Sequence, residues 1–330
     1  MKRNYQLLLL ATVILGGSYS CGNAIDENFN VKFPESYSVI YSGKGFNGDI
    51  VLDMTIPEDT VVLMYANYGG IVPLKQDVTV TFSVATDLLE TYNDLNLTTY
   101  QLLPEDCYSL ENNQVTILHG KSGSEPMSIR INTAGIPGPG PYLLPVSITE
   151  VSDTSIKVNE KLRSAYFVIR GSYNENPFTT DFDRTDWAVL SCSSFSAIPQ
   201  EYTPAELMLD GDDQTYWGTE FSPNRVAPPH VTIIDMKKSM TVHGGRIKSR
   251  LEKNGNMVNN GQAKIVTISL SNDNEHWTDA GTYSLPFEKE NTFFLNYHTS
   301  GRYLRFSVDR CYGGANSEFY QAAISELNIF

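Results

Sequence analysis

Residues 203–217, Thr-Pro-Ala-Glu-Leu-Met-Leu-Asp-Gly-Asp-Asp-Gln-Thr-Tyr-Trp, crowd four carboxylates around one glycine and close on two aromatic residues. A hard cation such as calcium collects about six to eight oxygens, and a glycine inside an acidic turn lets carbonyls and carboxylates converge on it. The same composition also suits an N-capped turn that runs into a solvated acidic loop. Other chemistries are poorly provided for. Gly43-Lys44-Gly45-Phe46-Asn47-Gly48 fits G-x-G-x-x-G, but a dinucleotide loop must lead from a strand into a helix whose amino terminus meets the pyrophosphate. Here Asp49–Ile56 continues as strand, so the spacing predicts a glycine-rich hairpin loop. The five histidines (119, 230, 243, 276 and 298) are scattered, no HExxH pair exists for zinc, and no G-x-S-x-G elbow exists for a serine hydrolase. Acidic residues are numerous enough to supply a glycosidase pair almost anywhere, so their number selects nothing. The residues point to binding rather than catalysis.

The elements that would position this turn are short strands. Val78, Val80, Phe82 and Val84 alternate with Thr79, Thr81 and Ser83, and Met127, Ile129 and Ile131 alternate around Ser128 and Arg130. Tyr142–Ile148 contains Pro145 and therefore reads as an edge strand or a bulged one. Ala165–Ile169 reads as a buried strand, and only Asp87–Tyr92 looks helical. Further on, Val231–Ile234, Ile265–Leu270 and Tyr303–Val308 read as strands. The expected fold is all-β, with two antiparallel sandwiches. Between them, residues 172–184 lose the alternation and turn polar, which places the domain joint there. The organisation expected is a leader over 1–20, a tether over 21–30, an Ig-like domain over 31–171, the joint, and a second sandwich over 185–330.

Lys2 and Arg3 before the apolar run Leu7–Leu15, then Gly16, Gly17 and Ser18, have the form of a secretory signal. Cys21 directly after small residues resembles a bacterial lipobox, which implies a lipidated amino terminus; ordinary cleavage near Cys21 is the alternative. Cys107, Cys192 and Cys311 then remain, an odd number, so at least one thiol is free. Cys192 and Cys311 fall in one expected domain, and both a disulfide between them and two thiols fit the spacing. A net charge of −14, with no concentrated basic segment, excludes nucleic acid as the main partner.

From about Trp187 to Phe330 the chain resembles discoidin domains, also called coagulation factor type C domains, and the related family 32 carbohydrate-binding modules. The resemblance rests on Leu209-Asp210-Gly211-Asp212 to Thr215-Tyr216-Trp217, on Pro229-His230-Val231-Thr232-Ile233-Ile234-Asp235, on Ser269–Asp273 with Trp277-Thr278, and on Ser325-Glu326-Leu327. It implies a jelly-roll sandwich with a structural calcium. The side chains of Asp210, Thr215 and Glu326 and the carbonyls of Leu207, Asp212 and Ser325 would hold the ion, and Trp217 would be core. It also implies a carbohydrate site at one end of the sandwich, formed by Arg250 with Asn254 and Asn256, by Phe221, and by Glu201 and Tyr320 in other loops. Gly218 stands where the family often has a histidine, which leaves galactose-type specificity open.

The first domain resembles an amino-terminal domain of Bacteroidetes surface lipoproteins from glycan-utilisation loci. Leu102-Leu103-Pro104-Glu105, Tyr108-Ser109-Leu110, Val115-Thr116-Ile117 and Pro141–Ile148 carry this likeness. The two resemblances together imply a non-catalytic, lipid-anchored glycan-binding protein on the outer membrane, facing the cell surface, with a transporter and its lid lipoprotein as further partners. The alternative is an adhesin or assembly subunit that binds protein.

Overall fold

The computed structural model describes residues 37–330. The leader, Cys21, the tether and the first residues of the expected Ig-like domain lie outside the described residues.

The first half is a set of short strands closed over one core. In chain order they are β1 (Val39–Ser42), β2 (Ile50–Thr55), β3 (Asp59–Met64), β4 (Ala66–Gly69), β5 (Val78–Val84), the helix α1 (Leu88–Asn96), β6 (Gln101–Leu102), β7 (Tyr108–Glu111), β8 (Gln114–Ile117), β9 (Met127–Asn132), β10 (Tyr142–Val151), β11 (Lys157–Val158) and β12 (Ser164–Ser172). The alternation in β5 and β9 does what a period of two requires. Val78, Val80, Phe82, Met127, Ile129 and Ile131 are fully buried in the same core while their neighbours face outward. The largest sheet runs β2-β12-β10-β5-β8, and β11-β1-β4 and β3-β9-β7 complete the layers.

Three expectations need correction. The glycine-rich segment is not a hairpin: β1 pairs with β4 and β11, and β2 with β12, so Gly43–Asn47 is a 3-10 arch that carries the chain from one sheet to another. The pairing is not purely antiparallel either, because β1–β11, β2–β12 and β6–β10 run parallel. Finally, β10 is a central strand and not an edge, although the expected bulge is present between Ile148 and Glu150. Pro145 is tolerated because β10 pairs with β6 at Tyr142 and Leu143 and with β5 only from Val146 onward. The missing N–H of Pro145 falls at that change of partner, while its carbonyl still accepts from the Ala85 N–H at 2.9 Å.

The second half contains β13 (Ala188–Cys192), β14 (Trp217–Gly218), β15 (His230–Ser249), β16 (Ala263–Ser271), β17 (Thr278–Ser284), β18 (Glu290–Tyr312), β19 (Glu318–Phe319) and β20 (Ala323–Ile329). They form a sheet ordered β14-β20-β15-β18-β16-β17, with β13 on β15 and β19 on β18. Two strands are long because each serves both layers: β15 has 20 residues and β18 has 23, and their mutual register slips between Asp235 and Met240 and again between Val242 and Gly244. Trp217 and Phe306 are fully buried in the core between the layers, with their rings 6.5 Å apart. Cys192 and Cys311 remain thiols; one sits on β13 opposite Thr232, the other on β18 opposite Ala263.

The halves meet along β18. The N–H of Gly140 donates to Asn296 at 2.8 Å, the N–H of His298 donates to Pro137 at 2.8 Å, and the Tyr297 hydroxyl donates to the Pro141 carbonyl. Gly138 is needed here, since its φ is 111° and a Cβ would stand 2.6 Å from the Asn296 carbonyl oxygen. The segment after β12 lies along the second sandwich. Phe178 stacks on His243 at 4.1 Å, the N–H of Phe182 donates to Ile329 at 2.8 Å, and Asp181 pairs with Arg246.

Candidate functional site

The acidic turn begins as a short 3-10 segment, Ala205–Met208, and then reverses at Gly211, whose φ is 82°. Two side chains cap the reversal: Asp210 accepts the N–H of Asp212, and Asp212 accepts the N–H of Gln214, both at 2.9 Å. The Asp212 carboxylate is thereby spent on the turn, and its carbonyl is left facing inward. The Thr215 hydroxyl lies 2.8 Å from Asp210 Oδ2, 3.0 Å from the Asp212 carbonyl and 3.3 Å from the Leu207 carbonyl. A hydroxyl has one proton, so it can serve only one of these three acceptors well. The Asp212 carbonyl also accepts the N–H of Thr215 at 3.0 Å, so four oxygens crowd a place where few donors reach.

Glu326 reaches the same place from β20 and is 2% exposed. Its Oε1 has no hydrogen-bond partner, and its Oε2 lies 2.7 Å from Arg184 Nη2 without the alignment of a hydrogen bond. Burial raises its pKa, Arg184 opposes that, and the nearby Asp210 charge adds to it. Ser325 is the extra residue of a bulge, because the register jumps from Lys248 opposite Glu326 to Ser249 opposite Ile324. A bulged residue is left out of the ladder, and the Ser325 hydroxyl reaches toward the Asp213 carbonyl at 3.4 Å. An under-satisfied buried carboxylate and a set of converging neutral oxygens are the donors that a hard cation takes. Of the residues expected to hold calcium, Leu207, Asp210, Asp212 and Thr215 are brought together here, and their donors are of the kind that ion takes. Sequence reasoning missed Arg184, which donates to the Met208 carbonyl at 3.2 Å and the Leu327 carbonyl at 2.8 Å and so ties the turn to β20. It lies in the expected joint, 172–184, and nothing local in the sequence marks it.

The loops at the rim are positioned by the zipping of two short segments. The N–H of Thr219 donates to Ala322 at 3.0 Å, and the N–H of Ala322 donates to the Thr219 hydroxyl at 2.9 Å. This brings Phe221 and Tyr320 onto one rim, 36% and 50% exposed. Phe221 stacks on Phe319 at 5.5 Å, and Arg225 lies over its ring at 5.0 Å. On the other side of the same segment, the Arg250 guanidinium sits 4.1 Å over the ring of Tyr216. The Tyr216 phenol is raised above its ordinary pKa, chiefly by burial and then by Glu201, while Arg250 lowers it. Tyr216 and Arg250 thus form a pair, and the Glu201 charge acts on Tyr216 from the 3-10 turn 199–201.

The two asparagines are placed differently. Residues 250–258 fold back on themselves, with the N–H of Val258 donating to the Arg250 carbonyl at 3.1 Å and the N–H of Glu252 to that of Asn256 at 2.8 Å. Asn254 and Asn256 stand at the tip of that hairpin and Arg250 at its base. Asn254 is occupied within the tip: its carbonyl accepts the N–H of Asn256 at 2.8 Å, and its amide donates to Glu252 at 3.1 Å. Gly218 has no room for an imidazole, since a Cβ there would stand 2.7 Å from Thr203 Oγ1 and 2.8 Å from the Tyr216 ring. Tyr216 and Phe319 were absent from the expected site. The adjacent pair Phe319-Tyr320 was a usable signal, whereas Tyr216 was hidden inside the turn motif.

Residues 190–323 match the F5/8 type C domain family, and residues 27–155 match a family described as a "-like, N-terminal domain". The second half carries an F5/8 type C domain. No curated protein sequence matches the chain. Among solved structures, the carboxy-terminal domain of a chitobiase from Bacteroides fragilis is 20% identical over 46% of this chain and 97% of that one, with a TM-score of 0.40. The family 32 carbohydrate-binding module of Clostridium perfringens NanJ, in complex with galactose, is 19% identical over 46% of this chain and 97% of that one, at 0.37. A two-domain protein of unknown function from Bacteroides fragilis is 12% identical over 89% of this chain and 94% of that one, at 0.35. Within the F5/8 type C domain, Trp217 is fully buried and donates from Nε1 to the Ser194 carbonyl at 3.0 Å. It is core and cannot act as a sugar platform.

Proposed function

We propose that this protein is a non-catalytic glycan-binding protein, held to the outer membrane by lipid on Cys21 and presenting its F5/8 type C domain at the cell surface as part of a polysaccharide-utilisation system. The observation that carries the reading is the rim itself. Phe221 and Tyr320 expose aromatic faces on one rim, and the Arg250 guanidinium is fixed over Tyr216 at the start of the segment that leads to it, on a domain of a family used for binding. An apolar floor with a few oriented polar groups is how shallow ligand sites are built. Aromatic faces take the C–H face of a pyranose, and Arg250 and Glu201 offer a donor and an acceptor for its hydroxyls. Anchoring many such sites on one surface raises effective concentration, so each site can be weak. The transporter and lid lipoprotein would receive what these sites collect.

Leu207, Asp210, Asp212, Thr215, Ser325 and Glu326 would hold a structural calcium. The ion would supply the positive charge that the facing oxygens lack, and so fix the segment leading into Tyr216 and Trp217. A glycan array probed with residues 22–330 in calcium buffer tests the binding function: hits on related oligosaccharides are expected. A blank array, with a protein captured specifically from outer-membrane extract, would replace this reading by the protein-binding one.

A further inference from the structure

A cavity opens beside the rim, walled by the same two segments that carry its aromatics. Phe221 begins the loop 221–229 and stacks on Phe319; Ala227 and Pro228 end that loop and face Tyr320 across a space of about 390 Å³. That volume is within the range of about 300–1,000 Å³ typical of small-molecule sites. The aromatic path into it is continuous, with ring centres of Phe221 and Phe319 5.5 Å apart and those of Phe319 and Tyr320 6.4 Å apart. The far wall is polar. Arg310 lies 3.2 Å and Lys264 2.9 Å from Glu318, and Asp309 is fixed by the hydroxyls of Ser307 and Thr267 at 2.6 Å each.

We propose that the ligand is an oligosaccharide of at least two units, not a single terminal sugar. One unit lies against Phe221 at the rim, and the next crosses Tyr320 into the cavity, where Arg310 and Glu318 bond its hydroxyls. The inference rests on the glycan-binding reading above and extends it to chain length. The loop ends and the β18–β19 hairpin set the geometry, with Cys311 opposite Phe319 and Tyr312 opposite Glu318.

Calorimetric titration of residues 22–330 with three pairs of probes tests this: galactose and galactotetraose, glucose and cellotetraose, mannose and mannotetraose. In the pair that binds, the tetrasaccharide is expected to bind about tenfold tighter, the size of one or two hydrogen bonds. Arg310→Ala and, independently, Ala227→Phe should erase that gain and leave the monosaccharide affinity unchanged. Equal affinity for both members of the binding pair, or a length gain that survives both variants, overturns the extended site while the rim reading stands. No heat from any pair, together with a blank array, overturns the rim reading as well.

Discussion

In the first sandwich, Arg170 on β12 lies 2.7 Å from Asp53, its register partner on β2, and Arg130 on β9 joins Asp59 on β3 at 3.2 Å to Glu111 on β7 at 3.5 Å. These cations tie strands to one another across open sheet faces. In the second sandwich, Arg250 is held over a tyrosine and not by a carboxylate, Glu326 keeps an oxygen without a partner, and three aromatic rings line one rim. The first half spends these charged groups on holding shape, and the second leaves Arg250 and Glu326 short of charged or hydrogen-bonded partners. A buried group left under-satisfied in a folded protein needs an explanation, and a bound ion is one of the few available. The difference teaches where to look for function in a chain whose two halves share a fold class.

The sharpest way to break the comparison is to truncate the cation over Tyr216. Arg250→Ala should cost about 10- to 100-fold in glycan affinity, the worth of a charge-assisted hydrogen bond of about 1.5–3 kcal/mol. Calorimetry reads this, and the melting curve should stay nearly unchanged; Arg170→Ala should alter neither the glycan affinity nor the calcium response. Retained affinity in Arg250→Ala would mean the rim is scaffold too. The next effect is the metal. A ligand present at about 100 times its Kd stabilises the folded state by about 2.7 kcal/mol, and for a domain of this size that is a shift of several degrees. Trp187, Trp217 and Trp277, the only tryptophans, all lie in the second half, so their fluorescence reports on that half alone. Chelator should lower the fluorescence-detected transition, and Asp210→Asn should abolish the response. A transition that ignores chelator in the wild type sinks the calcium assignment.

Much of the turn was legible because its chemistry is local: residues 207–215 supply most of their own donors, and Gly211 marks the reversal. The strands were legible wherever one face is buried, as in β5 and β9. The rim was legible only in part, because it is assembled by pairing of 217–219 with 322–324, a contact that no local pattern announces. Tyr216 under Arg250 and Arg184 against Glu326 are long-range placements of the same kind. Pro145 misled because the rule against proline in central strands assumes one partner along the whole edge, whereas β10 exchanges β6 for β5 at that residue.

The seam between the halves sharpens the comparison, since it decides whether the binding half moves freely. His243 and His298 pack edge to face at 4.3 Å beneath Phe178. Burial lowers both, and His298, also facing His243, is pushed down to about 4. An unfolded histidine titrates near about 6.5, so as pH falls from there toward 4 the unfolded chain takes up protons that the folded one refuses. Stability contributed by neutral burial is therefore complete above pH of about 6.5 and is lost progressively toward 4. The raised pKa of Glu326 acts in the opposite direction, which is why a variant is needed to isolate the histidines. The urea midpoint should fall between pH 7 and pH 5, and His298→Phe should reduce that fall; an equal fall in the variant refutes the assignment.

The smallest effect concerns Tyr297, which donates to the Pro141 carbonyl, accepts the N–H of Gln101 at 3.2 Å, and packs its ring edge to face against Tyr142 at 5.3 Å. Tyr297→Phe keeps the ring and removes the hydroxyl, leaving two backbone groups without a partner, at a cost of about 1 kcal/mol. If the hydroxyl couples the halves, wild type should show coincident transitions by tryptophan fluorescence, which sees the second half, and by circular dichroism, which sees both. The variant should separate them by a degree or more while glycan affinity stays fixed. Transitions already separate in the wild type would mean that each sandwich melts alone and that the seam orients the binding half without stabilising it. In that case the first sandwich acts on ligand capture only by setting the direction in which the rim faces.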